Sequence, residues 1–131
     1  MVGNSELKDC DRPVVFVGPF EHHSNEVSWR ETVATVVCIP EGPRGNVDLD
    51  ELAGELDKYA DRPLKICSFS AASNVTGIKN DMVGIARVAK SKGALCFVDY
   101  ASAGAYGEGV FYDACLTHAR LRQSCMQAAC N

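Results

Sequence analysis

The 131-residue sequence lacks the features that would assign it to several broad classes of protein. No segment is dense in lysine and arginine, and the formal net charge is −4, which argues against a nucleic-acid or anionic-membrane binder. No apolar run approaches the roughly 18 residues that a membrane-spanning helix needs. The first stretch, MVGNSELKDCDRP, is polar, so we expect no signal peptide there.

Motifs for metal and nucleotide binding are also missing. The seven cysteines include no C-x-x-C pair, so neither a zinc knuckle nor a dithiol redox centre is expected. No G-x-G-x-x-G or Walker-type loop follows a predicted strand, which argues against a nucleotide-binding domain. Cys38, Cys67 and Cys96 lie in apolar runs, so we predict that their small side chains are buried. This use of cysteine predicts that the protein is in the cytoplasm or another reducing compartment.

The composition that is present, 47% hydrophobic and 23% charged, is typical of one globular domain. Four short apolar runs predict strands: PVVFV (13–17), ATVVCIP (34–40), PLKICSFS (63–70) and ALCFVDY (94–100). Helices are predicted over DLDELAGELDKYA (48–60) and NDMVGIARVAKSKG (80–93), and over NEVSWRETV (25–33) without a clean apolar stripe. Asp48 and Asn80 are the predicted N-caps, and Gly93 the predicted terminator of the last helix.

Apolar strands that alternate with capped helices are typical of βαβ units. We therefore predict an α/β fold with three layers, in which a mainly parallel sheet has helices on both faces. The C-terminal end of the chain, which carries three of the cysteines, has helical propensity but no clear strand.

Polar side chains follow three of the predicted strands. Glu21, His22 and His23 come after the first strand, Asn74 after the third, and Asp99 ends the fourth. Because loops after parallel strands lie at one edge of the sheet, an imidazole, an amide and a carboxylate are expected to converge there.

Each of these side chains also has an ordinary structural interpretation. The two histidines can be exposed loop residues, and a metal site built on them lacks an evident third ligand. Asn74 can stabilise a turn in which Gly77 supplies a positive φ. Asp99, at the end of a buried strand, must be paired or lie in a solvated cleft.

Three stretches together, EHHSNEVSWRE, SFSAASNVTG and GALCFVDYASA, resemble the class V aminotransferase and cysteine desulfurase family. The resemblance runs from about Arg12 to about Tyr106, with the motifs in the same order and at similar spacing. It is closest in character to the cysteine desulfurase and selenocysteine lyase branch. The resemblance implies a fold-type I enzyme that depends on pyridoxal 5′-phosphate. It makes residues 12–106 the predicted domain, a central part of the large domain of such an enzyme, and residues 107–131 a divergent C-terminal tail.

The resemblance also implies roles for three residues. His22 would stack on the pyridine ring and assist proton transfer, which makes it the candidate catalytic residue. Asn74 would hydrogen-bond the 3′-oxygen of the cofactor, and Asp99 would pair with the protonated pyridine nitrogen. A protonated nitrogen makes the ring an electron sink for the substrate's α-carbon. No metal is implied.

The sequence departs from the family pattern after Asp99. Ser102 stands where related proteins often have glutamine, and no lysine follows Lys92, although the family places its Schiff-base lysine roughly 25 residues after the aspartate. Arg120 and Arg122 lie in that region, but arginine stays protonated and cannot replace lysine. The family's phosphate-binding turn and small domain are likewise not recognisable.

These departures lead us to expect a fragment that is inactive alone, so whether this chain is an enzyme is left open. The parent chemistry would be sulfur or amino transfer from an amino-acid substrate. A homodimer is the candidate assembly, and no nucleic-acid or membrane partner is expected. The alternative is a non-catalytic α/β binding or interaction module that pairs with a full-length enzyme through open sheet edges.

Overall fold

The computed structural model describes residues 7–103, so the predicted tail and the last residues of the predicted domain lie outside the described residues. The elements are β1 (Val14–Val17), α1 (His23–Arg30), β2 (Thr35–Cys38), α2 (Leu49–Lys58), β3 (Lys65–Ser70), α3 (Met82–Ser91) and β4 (Leu95–Asp99). A short 3₁₀ helix, Asp9–Asp11, precedes β1. Within this part of the chain, no helix is both long and apolar enough to cross a membrane.

The four strands form one parallel sheet in the order β2-β1-β3-β4. In this order β1 and β4 both neighbour β3, with Val17 opposite Ser68 and Ser70 opposite Asp99. The carboxyl ends of β1, β3 and β4 therefore lie side by side. The predicted α/β class with a parallel sheet is confirmed.

Side chains on the two faces of the sheet pack against different helices, which confirms the three predicted layers. On one face Phe16 and Phe69 are fully buried, together with side chains of α2 and α3. The residues that α2 and α3 contribute are Leu52, Leu56, Met82, Ile85 and Ala89. On the other face Val15, Val17 and Ile66 pack against Trp29 of α1. Alternate residues of β1 thus serve opposite cores.

The helix ends follow the sequence with one exception. Asp48 caps α2, since its side chain accepts hydrogen bonds from the backbone N–H groups of Asp50 and Glu51. The prediction that Asn80 caps α3 is wrong, because Asp81 accepts from the Gly84 N–H instead. Gly93, with φ of +68°, follows the α3 C-cap as expected.

The burial of each predicted core cysteine depends on the position of its strand in the sheet. Cys67 is fully buried in the central strand β3, and burial raises the pKa of its thiol. Cys38 is exposed, so its predicted burial is wrong, because β2 is an outer strand of the described sheet. Partial burial and the nearby Glu26 still raise the pKa of the Cys38 thiol. Cys96, in β4, is half-buried.

Arg62 joins two chain segments at the amino end of the sheet. Its side chain is only 7% exposed and forms an ion pair with the Asp9 carboxylate at 2.7 Å. It also donates to the carbonyl oxygens of Asp9 and Arg12, and its guanidinium lies 5.3 Å from the centre of the Tyr59 ring. These contacts fasten the segment before β1 to the segment after α2.

Replacement of Gly84 by alanine is expected to lower the free energy of unfolding by about 1–3 kcal/mol. A Cβ atom there would lie 2.6 Å from Asp81 Oδ2 and 2.7 Å from Leu49 Cδ1, too close for any real contact. Urea denaturation of the full chain measures the change. Gly54→Ala is the matched control, because a Cβ atom at Gly54 meets no atom within 4 Å and should stabilise α2.

Candidate functional site

The candidate site is the edge of the sheet where β1, β3 and β4 end, which we call the carboxyl edge. The segment Gly18–His22 follows β1, the segment Ala71–Asn80 follows β3, and Asp99 is the last residue of β4. Strand order alone makes these three segments neighbours. The convergence expected from the sequence is therefore a property of the fold.

Glu21 ties the segment after β1 to the end of β3. Its half-buried carboxylate accepts from the Gly18 N–H at 3.1 Å, the Asn25 amide at 2.7 Å and the Ser70 hydroxyl at 2.6 Å. The Ser70 N–H lies 3.0 Å from both carboxylate oxygens. One carboxylate thus satisfies donors on the loop, on α1 and on β3.

A second set of hydrogen bonds lies directly below this carboxylate. The Asn25 amide also donates to the Ser68 carbonyl at 3.3 Å, and the Ser68 hydroxyl donates to Asn25 Oδ1 at 2.7 Å. The Trp29 indole N–H donates to the same hydroxyl oxygen at 3.2 Å. Asn25 in the first turn of α1 and Trp29 in the last turn therefore hold this helix to β3 by polar contacts.

His22 lies at the N-cap of α1, with its ring exposed. Its Nδ1 accepts from the Ser24 N–H at 3.2 Å and lies 2.8 Å from the Ser24 hydroxyl oxygen. When Nδ1 accepts, the proton of the neutral ring is on Nε2. Among residues 7–103, Nε2 forms no hydrogen bond. The ring is thus oriented on one side and accessible on the other, and the exposed His23 ring lies 6.3 Å away, centre to centre.

Asn74 lies in a tight turn after β3, with its side chain exposed. The side chain that stabilises this turn is Ser73, whose hydroxyl oxygen accepts from the N–H groups of Val75 and Thr76 at 3.2 Å. Gly77 has the positive φ expected for it, +71°, and its N–H donates to the Ser73 carbonyl. The Asn74 amide forms no hydrogen bond within the described residues, so it is available to a ligand.

Asp99 is half-buried at the end of β4. Its carbonyl oxygen accepts from the Ala71 N–H at 2.9 Å, and its Oδ1 accepts from the Ala101 N–H at 2.9 Å. Its other carboxylate oxygen, Oδ2, has no donor in the part of the chain that the structure describes. Asp99 therefore offers one anchored and one available oxygen, next to the strand that Glu21 binds.

Asn80 fixes the far side of the loop that carries Asn74. Its amide donates to the Ser70 carbonyl at 2.8 Å, and its Oδ1 accepts from the Val47 N–H at 2.8 Å. These tertiary contacts explain why the side chain does not cap α3.

Sequence reasoning grouped His22, Asn74 and Asp99 correctly at one edge but missed the residues that hold this edge together. The sequence assigns no role to Glu21, Asn25 or Ser70, whose side chains make these contacts. Glu21 and Ser70 are 49 residues apart along the chain, so only the pairing of β1 with β3 brings them together.

The residues at this edge suit a planar, cationic heteroaromatic ring with an acidic substituent. An accessible imidazole face can stack on such a ring, an unpaired amide can donate or accept a hydrogen bond, and a carboxylate oxygen can pair with a ring N–H⁺. A protonated pyridine with a 3′-oxygen presents the complementary groups, so the chemical types of the residues present fit the expected cofactor. Within residues 7–103 no group of three or more histidine, cysteine, aspartate and glutamate side chains is placed to hold a metal ion.

Comparisons with known proteins agree with this architecture. The sequence profile of the family "aminotransferase class-V" matches residues 4–107. A cysteine desulfurase of Escherichia fergusonii is 30% identical over 105 residues, which cover 77% of this chain and 24% of that protein. A probable glycine dehydrogenase (decarboxylating) subunit 2 of Thermosipho africanus is 32% identical over 97 residues, covering 74% of this chain and 19% of that protein.

A solved structure gives the same result. The crystal structure of the cysteine desulfurase CsdA from Escherichia coli superposes with a TM-score of 0.61 and 28% identity, covering 75% of this chain and 24% of that one. The chain therefore spans about a quarter or less of the length of the curated relatives it matches.

Proposed function

We propose a function for this chain, which belongs to the class V aminotransferase family and within that family resembles the cysteine desulfurases. The family depends on pyridoxal 5′-phosphate. We propose that the carboxyl edge is one wall of the site for this cofactor, in a part of a large domain whose parent chemistry is sulfur or amino transfer from an amino acid.

One observation carries this proposal. The strands β1, β3 and β4 are parallel neighbours, so the segments with His22, Asn74 and Asp99 end at one edge of the sheet. Open parallel sheets bind ligands outside the carboxyl ends of their strands. Each of the three side chains offers an accessible group, whereas the nearby side chains of Ser70 and Asn80 are already hydrogen-bonded.

Each residue has a distinct proposed role. The His22 ring stacks on the pyridine face, and its Nε2 can hold or transfer a proton. The Asn74 amide hydrogen-bonds the 3′-oxygen. The free oxygen of Asp99 pairs with the pyridine N–H⁺ while its other oxygen stays on the Ala101 N–H. When bound, the cofactor supplies an electron sink for charge that develops at the substrate α-carbon.

The chain has no lysine between Lys92 and Asn131, so we propose that it binds the cofactor without a specific covalent bond and has no turnover alone. Borohydride reduction of the full chain with pyridoxal 5′-phosphate, followed by peptide mass mapping, should show only scattered labelling of exposed lysines. Stoichiometric labelling of a single lysine would contradict this part of the proposal.

The replacement Asp99→Asn is expected to weaken binding of the cofactor's ring by about tenfold to a hundredfold. This corresponds to the roughly 1.5–3 kcal/mol of a hydrogen bond to a charged group. Asparagine keeps the oxygen that accepts from Ala101 but cannot hold a protonated ring nitrogen. The measurement is a titration with pyridoxine 5′-phosphate, which has the same ring and phosphate but no aldehyde to react with lysines.

The charge-matched control is Asp57→Asn. Asp57 is in the last turn of α2, where it pairs with Lys92 at 2.7 Å, away from the carboxyl edge. This exposed pair is worth about 1 kcal/mol or less, and its loss should leave the affinity unchanged. Equal effects of the two replacements would refute the assignment of Asp99.

The amino-acid substrate, a homodimer and a reducing compartment remain parts of the proposal. The four cysteines among the described residues are all free, which supports a reducing compartment. In the alternative, an interaction module would pair with another chain through β4, because β4 is an outer strand of the described sheet and its Leu95 is 46% exposed. Analytical ultracentrifugation decides here, since a stable monomer at high concentration would count against both a homodimer and that module.

A further inference from the structure

We infer that Glu21 is the positioning residue of the carboxyl edge: it holds the His22 ring where a ligand can stack on it. The inference deepens the proposed function, on which its affinity test rests, but its structural part can be tested without any ligand. We assign Glu21 a positioning role rather than a ligand-binding one, because its carboxylate is already engaged by Gly18, Asn25 and Ser70.

The contacts of the Glu21 carboxylate reach three different parts of the chain. Gly18 is the first residue after β1, Asn25 is in the first turn of α1, and Ser70 is the last residue of β3. A single carboxylate therefore fixes both ends of the segment that carries His22, and it fixes them to a central strand. Hydrogen bonds to a charged acceptor are roughly twice as strong as neutral ones.

Local hydrogen bonds connect the Glu21 segment to the His22 ring. His22 is the next residue, its carbonyl accepts from the Asn25 N–H at 2.9 Å, and its Nδ1 accepts from the Ser24 N–H. The backbone of His22 is thus held by groups that Glu21 orients, while the ring is held by the helix that begins after it. Without Glu21, the Ser24 contacts of the ring and the hydrogen bonds between Asn25 and Ser68 would remain, but the segment between β1 and α1 would lose the carboxylate that joins Gly18, Asn25 and Ser70.

Ser70 links this arrangement to Asp99, the proposed ion-pairing residue. Ser70 lies opposite Asp99 in the register of β3 and β4, and the next N–H, that of Ala71, donates to the Asp99 carbonyl. Glu21 therefore sets the position of the His22 segment relative to the strand end next to Asp99. A stacking residue and an ion-pairing residue must be held at a fixed separation to bind one ring.

Gly18 supplies independent support. A Cβ atom at Gly18 would lie 2.6 Å from Glu21 Oε1, so the carboxylate can occupy its position only because this residue has no side chain. The structure thus predicts that Gly18→Ala displaces Glu21 without changing any charge. It should reproduce the effect of Glu21→Gln, in which the Asn25 amide would meet a second donor.

The ligand-independent test is ¹³C relaxation of the histidine ring in the full chain, which has three histidines. We expect the order parameter of the His22 ring to be lower in both Glu21→Gln and Gly18→Ala than in the native chain. Asp57→Asn should leave it unchanged. An unchanged His22 order parameter in Glu21→Gln, with the chain folded, would overturn the inference whatever the ligand data show.

The affinity test uses pyridoxine 5′-phosphate and a double-mutant cycle. Glu21→Gln is expected to weaken binding about tenfold, although loss of a negative charge should by itself favour an anionic ligand. In the His22→Ala background, the same replacement should change the affinity less than twofold, because Glu21 acts through His22. A tenfold effect in both backgrounds would refute positioning and indicate a general structural role.

The two proposals can fail separately. If His22→Ala leaves the affinity unchanged, the role of His22 in the proposed function is wrong, while the relaxation data still decide whether Glu21 holds the ring. If His22→Ala weakens binding but Glu21→Gln alters neither affinity nor ring order, the proposed function stands and the role of Glu21 is refuted.

Discussion

Replacement of Phe16 by alanine is expected to lower the free energy of unfolding by about 3–5 kcal/mol, the range for buried aromatic residues. Phe16 is fully buried in the central strand β1, and its ring meets that of Tyr59 edge to face, with centroids 5.9 Å apart. Since domains of this size are stable by only about 5–15 kcal/mol, the variant should be largely unfolded under mild denaturant.

Urea denaturation followed by circular dichroism and by the fluorescence of the single tryptophan measures this change. Phe16→Leu, expected to cost about 1 kcal/mol, keeps the test usable if the alanine variant does not fold. Val75→Ala is the control, since Val75 is 86% exposed and should have almost no effect. Similar stabilities of Phe16→Ala and Val75→Ala would show that α2 and α3 do not cover β1 as described.

Replacement of Trp29 by alanine is expected to cost about 3 kcal/mol, the low end of the range for large aromatic residues, because its side chain is half-buried. Trp29 is the residue through which α1 packs on Val15, Val17 and Ile66, and its indole N–H donates to the Ser68 hydroxyl. The result tests whether α1 forms a true third layer.

Trp29→Phe separates the two contributions, since it keeps most of the packing and loses the hydrogen bond, at about 1 kcal/mol. Circular dichroism is the appropriate signal, because both variants lack the fluorescent indole. The description of this face would be wrong if Trp29→Ala and Trp29→Phe were equally stable, since the apolar contact would then contribute nothing.

Most of the fold could be predicted from the sequence because each element has a local cause. Continuous apolar runs such as Val14–Val17 are typical of strands that are covered on both faces, and the Asp48 cap with its spaced leucines is typical of the start of an amphipathic helix. Alternation of the two fixes a parallel sheet, and with it the edge where the polar residues gather.

The errors have a common physical origin, which is that tertiary contacts decide between locally equivalent options. Asn80 and Asp81 are both good N-caps, but the amide of Asn80 is used by Val47 and Ser70. Cys38 lies in an apolar run like that of Cys67, but its strand is at the outside of the sheet. Periodicity carries no information on either choice.

The candidate site was predictable only in part for the same reason. His22, Asn74 and Asp99 follow strands directly, so their common edge follows from topology. The carboxylate of Glu21 has partners on β3 that depend on strand order, on the missing side chain of Gly18 and on the rotation of α1. A sequence therefore indicates which groups meet a ligand more readily than which groups hold them in place.

The most direct test of the central claim, that the carboxyl edge binds the cofactor's ring, is an NMR titration of the ¹⁵N-labelled full chain with pyridoxine 5′-phosphate. We predict saturable shifts of amide signals in three separate segments, at His22–Ser24, Asn74–Gly77 and Asp99–Ala101, with none at Arg62 and its partner Asp9 at the opposite edge. Saturable shifts centred on Arg62, or no saturable shift in any of the three segments, would contradict the account.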